Sequence, residues 1–330
     1  MSRTVSQGLD SITETNSQII MSYTLINKLD PESPDPESSS GDSGMGDIGK
    51  TGIVPFMYFY YIQNPVASTD IRVEPVIQCN ADFEKFIHGK KYDNLIFQQT
   101  FWKDMAMLFD GPKIVDLCDP DWLKYAVDVV ELGQYIDAFT CSSATLRDLV
   151  QSYFPEKIVE HVPDRFDFSQ FPAPKVLHHG KAKKAVWFGY THNAHELLPQ
   201  LAPAIKEFDL ELLIVANAPY SQDDEVSALN PGFIKYEHYS SREYIAKADI
   251  VLNPRSNRAY FRYKSNNKSV IAWKLGVPVA VTCDDIARLM NPDERNSEVS
   301  IMQPSVEKEY DIEKSVKQYR SIIDKIENRY

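Results

Sequence analysis

Residues 113–163 read KIVDLCDPDWLKYAVDVVELGQYIDAFTCSSATLRDLVQSYFPEKIVEHVP. Three short apolar runs stand out: KIVDLCD (113–119), DAFTCSS (137–143) and KIVEHVP (157–163). Each is short and β-branched or aromatic, as buried strands are. The segments between them have helical spacing. PDWLKYAVDVVELG has a proline near its start and Gly133 at its end. SATLRDLVQSYF follows Ser142 and Ser143, either of which can cap it. Strand, helix, strand, helix, strand in succession predicts a parallel sheet covered by helices.

The pattern extends in both directions. Upstream, DNLIFQQ (93–99) is read as a strand followed by a helix, FWKDMAMLF. VEPVIQC (73–79) is read as a strand, and ADFEKFIHG as a helix ended by Gly89. IVPFMYFYYI (53–62) is apolar enough to be buried as helix or strand. Before it, residues 30–52 are rich in Pro, Ser, Gly and acid and predict a long mobile loop. SYTLINKL (22–29) is a candidate first strand. Residues 1–20 are polar and aperiodic, the signature of a disordered tail. Downstream, RFDFSQFPAPKVLHHGKAKK breaks the alternation with Pro172 and Pro174. The strand–helix pattern then restarts at AVWFG (185–189) and continues through LELLIVAN (210–217), FIKYEH (233–238), DIVLNP (249–254) and VPVAVT (277–282). A helix from about 193 to 207, then SREYIAKA, 266–275 and DDIARLM, alternate with these strands. In the final stretch, Ile312, Val316, Tyr319, Ile323 and Ile326 fall on one helical face.

These readings predict two doubly wound α/β halves facing across a cleft. The tail is 1–20, the first domain 21–170, the linker 171–184, the second domain 185–308 and the terminal helix 309–330. A chain of 330 residues exceeds the usual size of one core, which agrees. Ligands of such sheets sit beyond the carboxyl ends of the strands.

Composition narrows the function. The formal charge is −12, a poor balance for tracking nucleic acid. Yet residues 250–283 hold no Asp or Glu, while Arg255, Arg258, Arg262, Lys264, Lys268 and Lys274 all fall there. A basic island on an acidic chain points to one anionic ligand. Four scattered cysteines form no CxxC pair, which argues against a disulfide framework or zinc site. Cys118 and Cys141 read as buried thiols. No apolar run has the length of a membrane span, and the N-terminus lacks a secretory apolar core. The cytoplasm is the expected compartment.

YFRYKSNNKSVIAWKLGVPVAV (260–281) carries the most chemistry. A basic loop leads into a helix start at Asn266 and Asn267, where backbone N–H groups are free. Lys264 and Lys268 flank it, which makes a receptor for phosphate. This run resembles the donor-binding segment of the GT-B glycosyltransferases of the group 1-like kind. There, a turn rich in Lys, Ser and Asn precedes a helix ending in A-x-x-G-x-P-V. The resemblance implies two Rossmann-like domains and a nucleotide-sugar donor, with no cofactor and no catalytic metal. It also implies that Arg262, Lys264 and Lys268 stabilise the leaving diphosphate, with Arg255, Ser265, Asn266 and Asn267 beside them. Many retaining members carry a ribose-binding Glu five residues before the Gly, where this chain has Ile271.

Two further segments resemble the family. In AVWFGYTHNAHELL (185–198), Gly189, Tyr190, Thr191, His192 and Asn193 occupy the first strand–helix turn of the second half, near the donor phosphates. In residues 137–167, Ser142, Ser143 and Asp164 are expected to line the cleft on the acceptor side. Asp119, in IVDLCDPDW, is a candidate general base if the anomeric centre inverts; the alternative, favoured for either residue alone, is that Asp119 or Asp121 caps a helix. Gly44 to Thr51 matches the P-loop pattern G-x4-G-K-T, but what precedes it is no buried strand. Gly46, Asp47 and Lys50 are therefore read as a Gly-rich loop on the acceptor side of the cleft. A P-loop kinase using Lys50 and Thr51, or a non-catalytic glycan- or nucleotide-binding module, is the rival reading. The acceptor is a glycan, small molecule or modified nucleic-acid base, and the oligomeric state is open.

Overall fold

The computed structural model describes residues 57–60, 67–87, 90–123, 128–220, 225–238, 240–256, 258 and 260–329. The expected tail, the candidate strand at 22–29, the Gly-rich loop with Gly46, Asp47 and Lys50, and Gly89 lie outside the described residues.

The aromatic run at 53–62 contains a strand, β1 (Met57–Tyr60). It joins β2 (Phe83–Lys85), β3 (Leu95–Gln98), β4 (Lys113–Leu117), β5 (Ala138–Cys141) and β6 (Ile158–His161) in one sheet. The order is β2-β1-β3-β4-β5-β6, and every pairing is parallel. The second sheet holds β7 (Lys184–Gly189), β8 (Glu211–Ala216), β9 (Gly232–Lys235), β10 (Ile250–Leu252) and β11 (Val279–Ala280). Its order is β11-β10-β7-β8-β9, also parallel throughout. Both sheets belong to one unit, residues 53–330. Strands such as β3 and β5 are buried at every position, which is why they read as continuous apolar runs.

The helices are α1 (Ala67–Arg72), α2 (Glu74–Cys79), α3 (Lys103–Leu108), α4 (Val129–Gly133), α5 (Ala144–Tyr153), α6 (Thr191–Leu197), α7 (Ala202–Glu207), α8 (Ser241–Ala246), α9 (Asn267–Lys274), α10 (Cys283–Leu289), α11 (Pro292–Glu309) and α12 (Ile312–Glu327). Ser143, not Ser142, caps α5, accepting from the Leu146 amide at 3.1 Å.

Four expectations are corrected. The order at 73–87 is reversed: VEPVIQC forms α2 and FEK forms strand β2. Pro75 sits in the first turn of α2, where its missing N–H is no loss, and Val73 and Val76, at turn spacing, are fully buried. The helix expected at 193–207 is interrupted by a 3-10 turn, Leu198–Gln200, with Pro199 and Pro203 opening the successive pieces. PDWLKYAVDVVELG is not one continuous helix: its described residues hold a 3-10 turn, Asp121–Leu123, and α4, which starts after the extended capping residue Asp128. Finally, α11 was not expected. Asn291 caps it, Pro292 opens it, and Pro304 lies inside it.

The terminal helix α12 folds back onto the first sheet. Ile312, Val316, Tyr319, Ile322, Ile323 and Ile326 pack with Phe83, Ile96, Ile114, Ala138 and Ile158. Each Ile, Val or Phe among them contributes roughly 1.5–3 kcal/mol by leaving water. The other face of that sheet is covered by α3, α4 and α5 through Ala106, Leu132, Leu146 and Val150. The second sheet is likewise covered on both faces. Residues 171–183 form neither helix nor strand and run along the second lobe. There the Lys175 amide donates to the Leu275 carbonyl at 2.9 Å. Gly276 permits this approach. It has φ +72°, and a Cβ there would lie 2.3 Å from the Lys175 carbonyl oxygen. The G-x-P step of the sequence is thus a packing requirement.

Candidate active site

Strand order reverses between β1 and β3 in the first sheet and between β7 and β10 in the second. Crevices at such points are where these sheets bind ligands. The segments that leave the carboxyl ends line a single cavity of about 590 Å³. Gln99, Cys118 and Asp119 come from the first lobe. Gly189, Tyr190, Asn253, Pro254 and Arg255 come from the second.

Eleven of the expected residues are on this lining: Asp119, Asp164, Gly189, Tyr190, His192, Asn193, Arg255, Lys264, Ser265, Asn267 and Lys268. Five others are corrected to supporting positions. Thr191 donates to the Ala218 carbonyl and is held by Asn217. Asn266 donates to the Tyr310 hydroxyl at 3.0 Å. Ser142 is buried and donates to the Cys118 carbonyl at 2.9 Å. Ser143 donates to the Tyr263 carbonyl at 2.6 Å, and the Arg262 carbonyl accepts from Thr145 at 3.0 Å. The Arg262 side chain is exposed and lies over the Tyr263 ring. These last two bonds seat the basic loop of the second lobe on the start of α5 in the first.

Lys268 lines the cavity from the second lobe. It stands in the first turn of α9, with its Nζ 4.4 Å from the centre of the Trp187 ring. Gly189 makes room for it. A Cβ at Gly189, where φ is +147°, would lie 2.7 Å from Lys268 Nζ and 3.1 Å from Trp187. Among the described residues no carboxylate lies within salt-bridge distance of Lys268. Burial, then Lys264 and Arg255, lower its pKa to about 7. Arg255 donates to the Ser265 carbonyl at 3.2 Å, and its guanidinium is also shifted down by burial.

The first lobe supplies carboxylates. Asp119 faces Lys264 across the cleft at 3.3 Å. Burial holds its carboxyl above the usual range, although Lys264 and a hydrogen bond from Tyr260 oppose that shift. Gln99, with φ +45°, clamps this strand end. Its Oε1 accepts from the Cys118 amide at 2.8 Å, and its Nε2 donates to Asp121 at 2.6 Å. Behind the wall, the fully buried Asp116 accepts two bonds from Arg72 and one each from Thr140 and Tyr319. Arg72 also holds Asp164 at 2.7 Å, and Asp164 accepts a bond from Ser265 of the second lobe. Burial opposes the Arg72 charge, yet Asp116 and Asp164 keep it firmly protonated. Cys118 and Cys141 are thiols raised by burial. Cys141 is fully buried, whereas Cys118 reaches the cavity lining.

The sequence reading missed Ser68, Asp70 and Ile71 of α1, and Gln99, Asn217, Tyr236 and Asn253. Gln99 and Asn253 each stand just past a strand read correctly, a positional signal in itself. The α1 residues had none, because that helix was not expected. Among the described residues, no group of His, Cys, Asp and Glu could hold a metal ion, and no helix is long and apolar enough to cross a membrane.

No protein-family model matches the chain, and no curated protein does either. Solved structures do match. A glycosyltransferase from Rickettsia africae aligns with TM-score 0.54 and 8% identity, over 82% of this chain and 98% of that one. TarM aligns with TM-score 0.54 and 12% identity, over 70% of this chain; this chain spans about half of TarM, 54%. An alpha-glucosyltransferase, solved in complex with UDP-glucose and DNA containing an abasic site, aligns with TM-score 0.52 and 12% identity, over 74% of this chain and 86% of that one. The fold is that of the GT-B glycosyltransferases.

Proposed function

We propose that the chain is a glycosyltransferase that draws its sugar from a nucleotide-sugar donor. One observation carries the reading. Lys268, a half-buried ammonium with no carboxylate partner among the described residues, sits against Gly189 at the switch point of the second sheet. A desolvated charge is unfavourable until a counter-ion joins it. A diphosphate is such a counter-ion. The start of α9 adds free backbone N–H groups, and Lys264 and Arg255 extend the positive charge along the wall.

The mechanism follows from charge development. As the sugar–phosphate bond breaks, negative charge grows on the leaving diphosphate, where Lys268 and Lys264 stabilise it. In the ligand-free chain Lys264 lies on Asp119. A diphosphate competes for that ammonium, and Asp119 is then free to accept a proton from an acceptor hydroxyl. The side chains supply the neutralising charge, so turnover should persist in a metal chelator. The UDP-glucose complex of a GT-B neighbour supports this class of donor.

Lys50 and Thr51 of the P-loop alternative lie outside the described residues, and the cavity described above does not include them. The test is incubation with a panel of UDP-, GDP-, ADP- and CMP-sugars in the presence of EDTA. Slow release of free nucleotide from one nucleotide class, lost in Lys268→Ala, is expected. Release that Lys268→Ala leaves unchanged would refute the assignment.

A further inference from the structure

Asp164 sits where the two lobes meet, and its two oxygens serve different lobes. Oδ1 accepts from Arg72 Nη1 at 2.7 Å, within the first lobe. Oδ2 accepts from the Ser265 hydroxyl of the second lobe at 2.5 Å. Arg72 is in turn fixed by three further bonds, from Nη1 to the Val162 carbonyl at 2.9 Å and from Nε and Nη2 to Asp116. Thr140 and Tyr319 also donate to Asp116. The side chains of Arg72, Asp116 and Asp164 are at most 5% exposed, so Asp164 is held from behind by a buried network. Ser265 lies in the segment that carries the positive charge. Lys264 precedes it, Asn266 leads into α9, and Lys268 stands in the first turn of that helix. The Ser265 carbonyl accepts from Arg255 at 3.2 Å. One residue therefore connects Arg255, Lys264 and the start of α9 to the network of the other lobe. The neighbouring loop bonds, from Ser143 to the Tyr263 carbonyl and from Thr145 to the Arg262 carbonyl, end on neutral groups. The Ser265 bond ends on a carboxylate and is the stronger kind.

By charge alone the placement is unfavourable. Arg72 sets one positive charge against two carboxylates, Asp116 and Asp164. The group thus brings a surplus negative charge to the edge of the cavity that holds Lys268, Lys264 and Arg255. Coulomb repulsion from Asp164 weakens the binding of an anion there. Its bond to Ser265 does the opposite, because it fixes the backbone that carries the cations.

Resting on the donor reading above, we propose that Asp164 is a positioning residue that acts through Ser265, fixing the basic loop and the start of α9 in the arrangement that takes a diphosphate. The first lobe thereby sets the anion affinity of the second without touching the anion.

Calorimetric titration of the full chain with inorganic pyrophosphate, run as a double-mutant cycle, tests this. Ser265→Ala removes a hydroxyl and no charge, and should lower affinity about tenfold, the scale of one bond to a charged group. Ser265→Thr keeps the hydroxyl and should keep the affinity. Asp164→Ala should lower affinity by the same factor as Ser265→Ala, although it deletes a negative charge from the cavity. The double variant should lose no more than either single one, because both act through one bond. However Asp164→Ala folds, amide hydrogen exchange across α9 in the ligand-free chain should be faster in Ser265→Ala than in the unaltered chain. An Asp164→Ala chain that binds pyrophosphate as tightly as the unaltered one or more tightly overturns this inference alone. So do losses that multiply in the double variant, a Ser265→Thr chain as weak as Ser265→Ala, or equal exchange rates. If the unaltered chain binds no pyrophosphate, the donor reading falls and takes this inference with it.

Discussion

The two walls of the cleft treat charge in opposite ways. The first lobe presents Asp70, Asp119, Asp121 and Asp164 and, among the described residues, no cation on the lining. The second presents Lys268, Lys264 and Arg255 and, among the described residues, no carboxylate. On the first wall two of the four carboxylates are satisfied within the lobe, Asp164 through Arg72 and Asp121 through Gln99, and a third, Asp119, pairs with Lys264 across the cleft. On the second, Lys268 is left to its own burial. A paired charge needs no further partner, whereas a half-buried cation with no carboxylate partner among the described residues leaves a place for an anion. This asymmetry also orients a ligand, since a phosphate has one favourable side.

The largest expected effect tests the first wall. Arg72→Ala leaves Asp116 buried without its principal partner. Breaking such a pair costs about 3–5 kcal/mol, readable as a lower midpoint in urea denaturation. A loss below 1 kcal/mol would mean that the first wall does not depend on its ion pairs.

Next comes the second wall. Lys268→Ala should lower nucleoside diphosphate affinity by roughly a hundredfold, the scale of truncating one partner of a buried charge pair. Calorimetric titration measures it. Stability should hold or rise, because a desolvated ammonium is removed.

Gly189→Ala should weaken the same binding by roughly tenfold. The new methyl meets Lys268 Nζ at 2.7 Å at a positive φ, so the ammonium is displaced rather than deleted. Circular dichroism should show the fold retained.

The smallest effect is a pH dependence. In the free chain Lys268 loses its proton near pH 7, since burial lowers its pKa to about 7. Binding an anion needs the protonated form and so draws a proton in. Affinity should therefore be full below pH 7 and fall by up to about tenfold per unit above it. Calorimetry in buffers of different ionisation heat should show proton uptake at pH 8. Lys268→Met should abolish that uptake.

How much of this was legible beforehand differs between the walls. The second wall was readable because its signals are local. An acid-free stretch, a helix start and a G-x-P step lie within one short segment, and the strand before Gly189 is unbroken. The first wall is assembled from distant residues. Arg72, Asp116, Asp164 and Tyr319 meet only in the folded chain, and α12 covers the first sheet from the far end of the sequence. The α1–α2 segment misled because β-branched residues in VEPVIQC mimic a strand, and only Pro75 marks a helix start. Helix α11 was hidden by Pro304 and by its weak amphipathic pattern, with few apolar residues on its buried side. Ser142, Ser143 and Asn266 hold the loops beside the cleft instead of facing it. Their side-chain direction depends on partners that no spacing rule reveals.

The central claim is tested most directly by a crystal structure of the chain soaked with a nucleoside diphosphate carrying an anomalous scatterer on the base. The account predicts the diphosphate within hydrogen-bonding reach of Lys268 Nζ, beside Gly189 and the start of α9, with Lys264 drawn off Asp119. A nucleotide bound elsewhere, with the Lys264–Asp119 pair intact and Lys268 untouched, would contradict it.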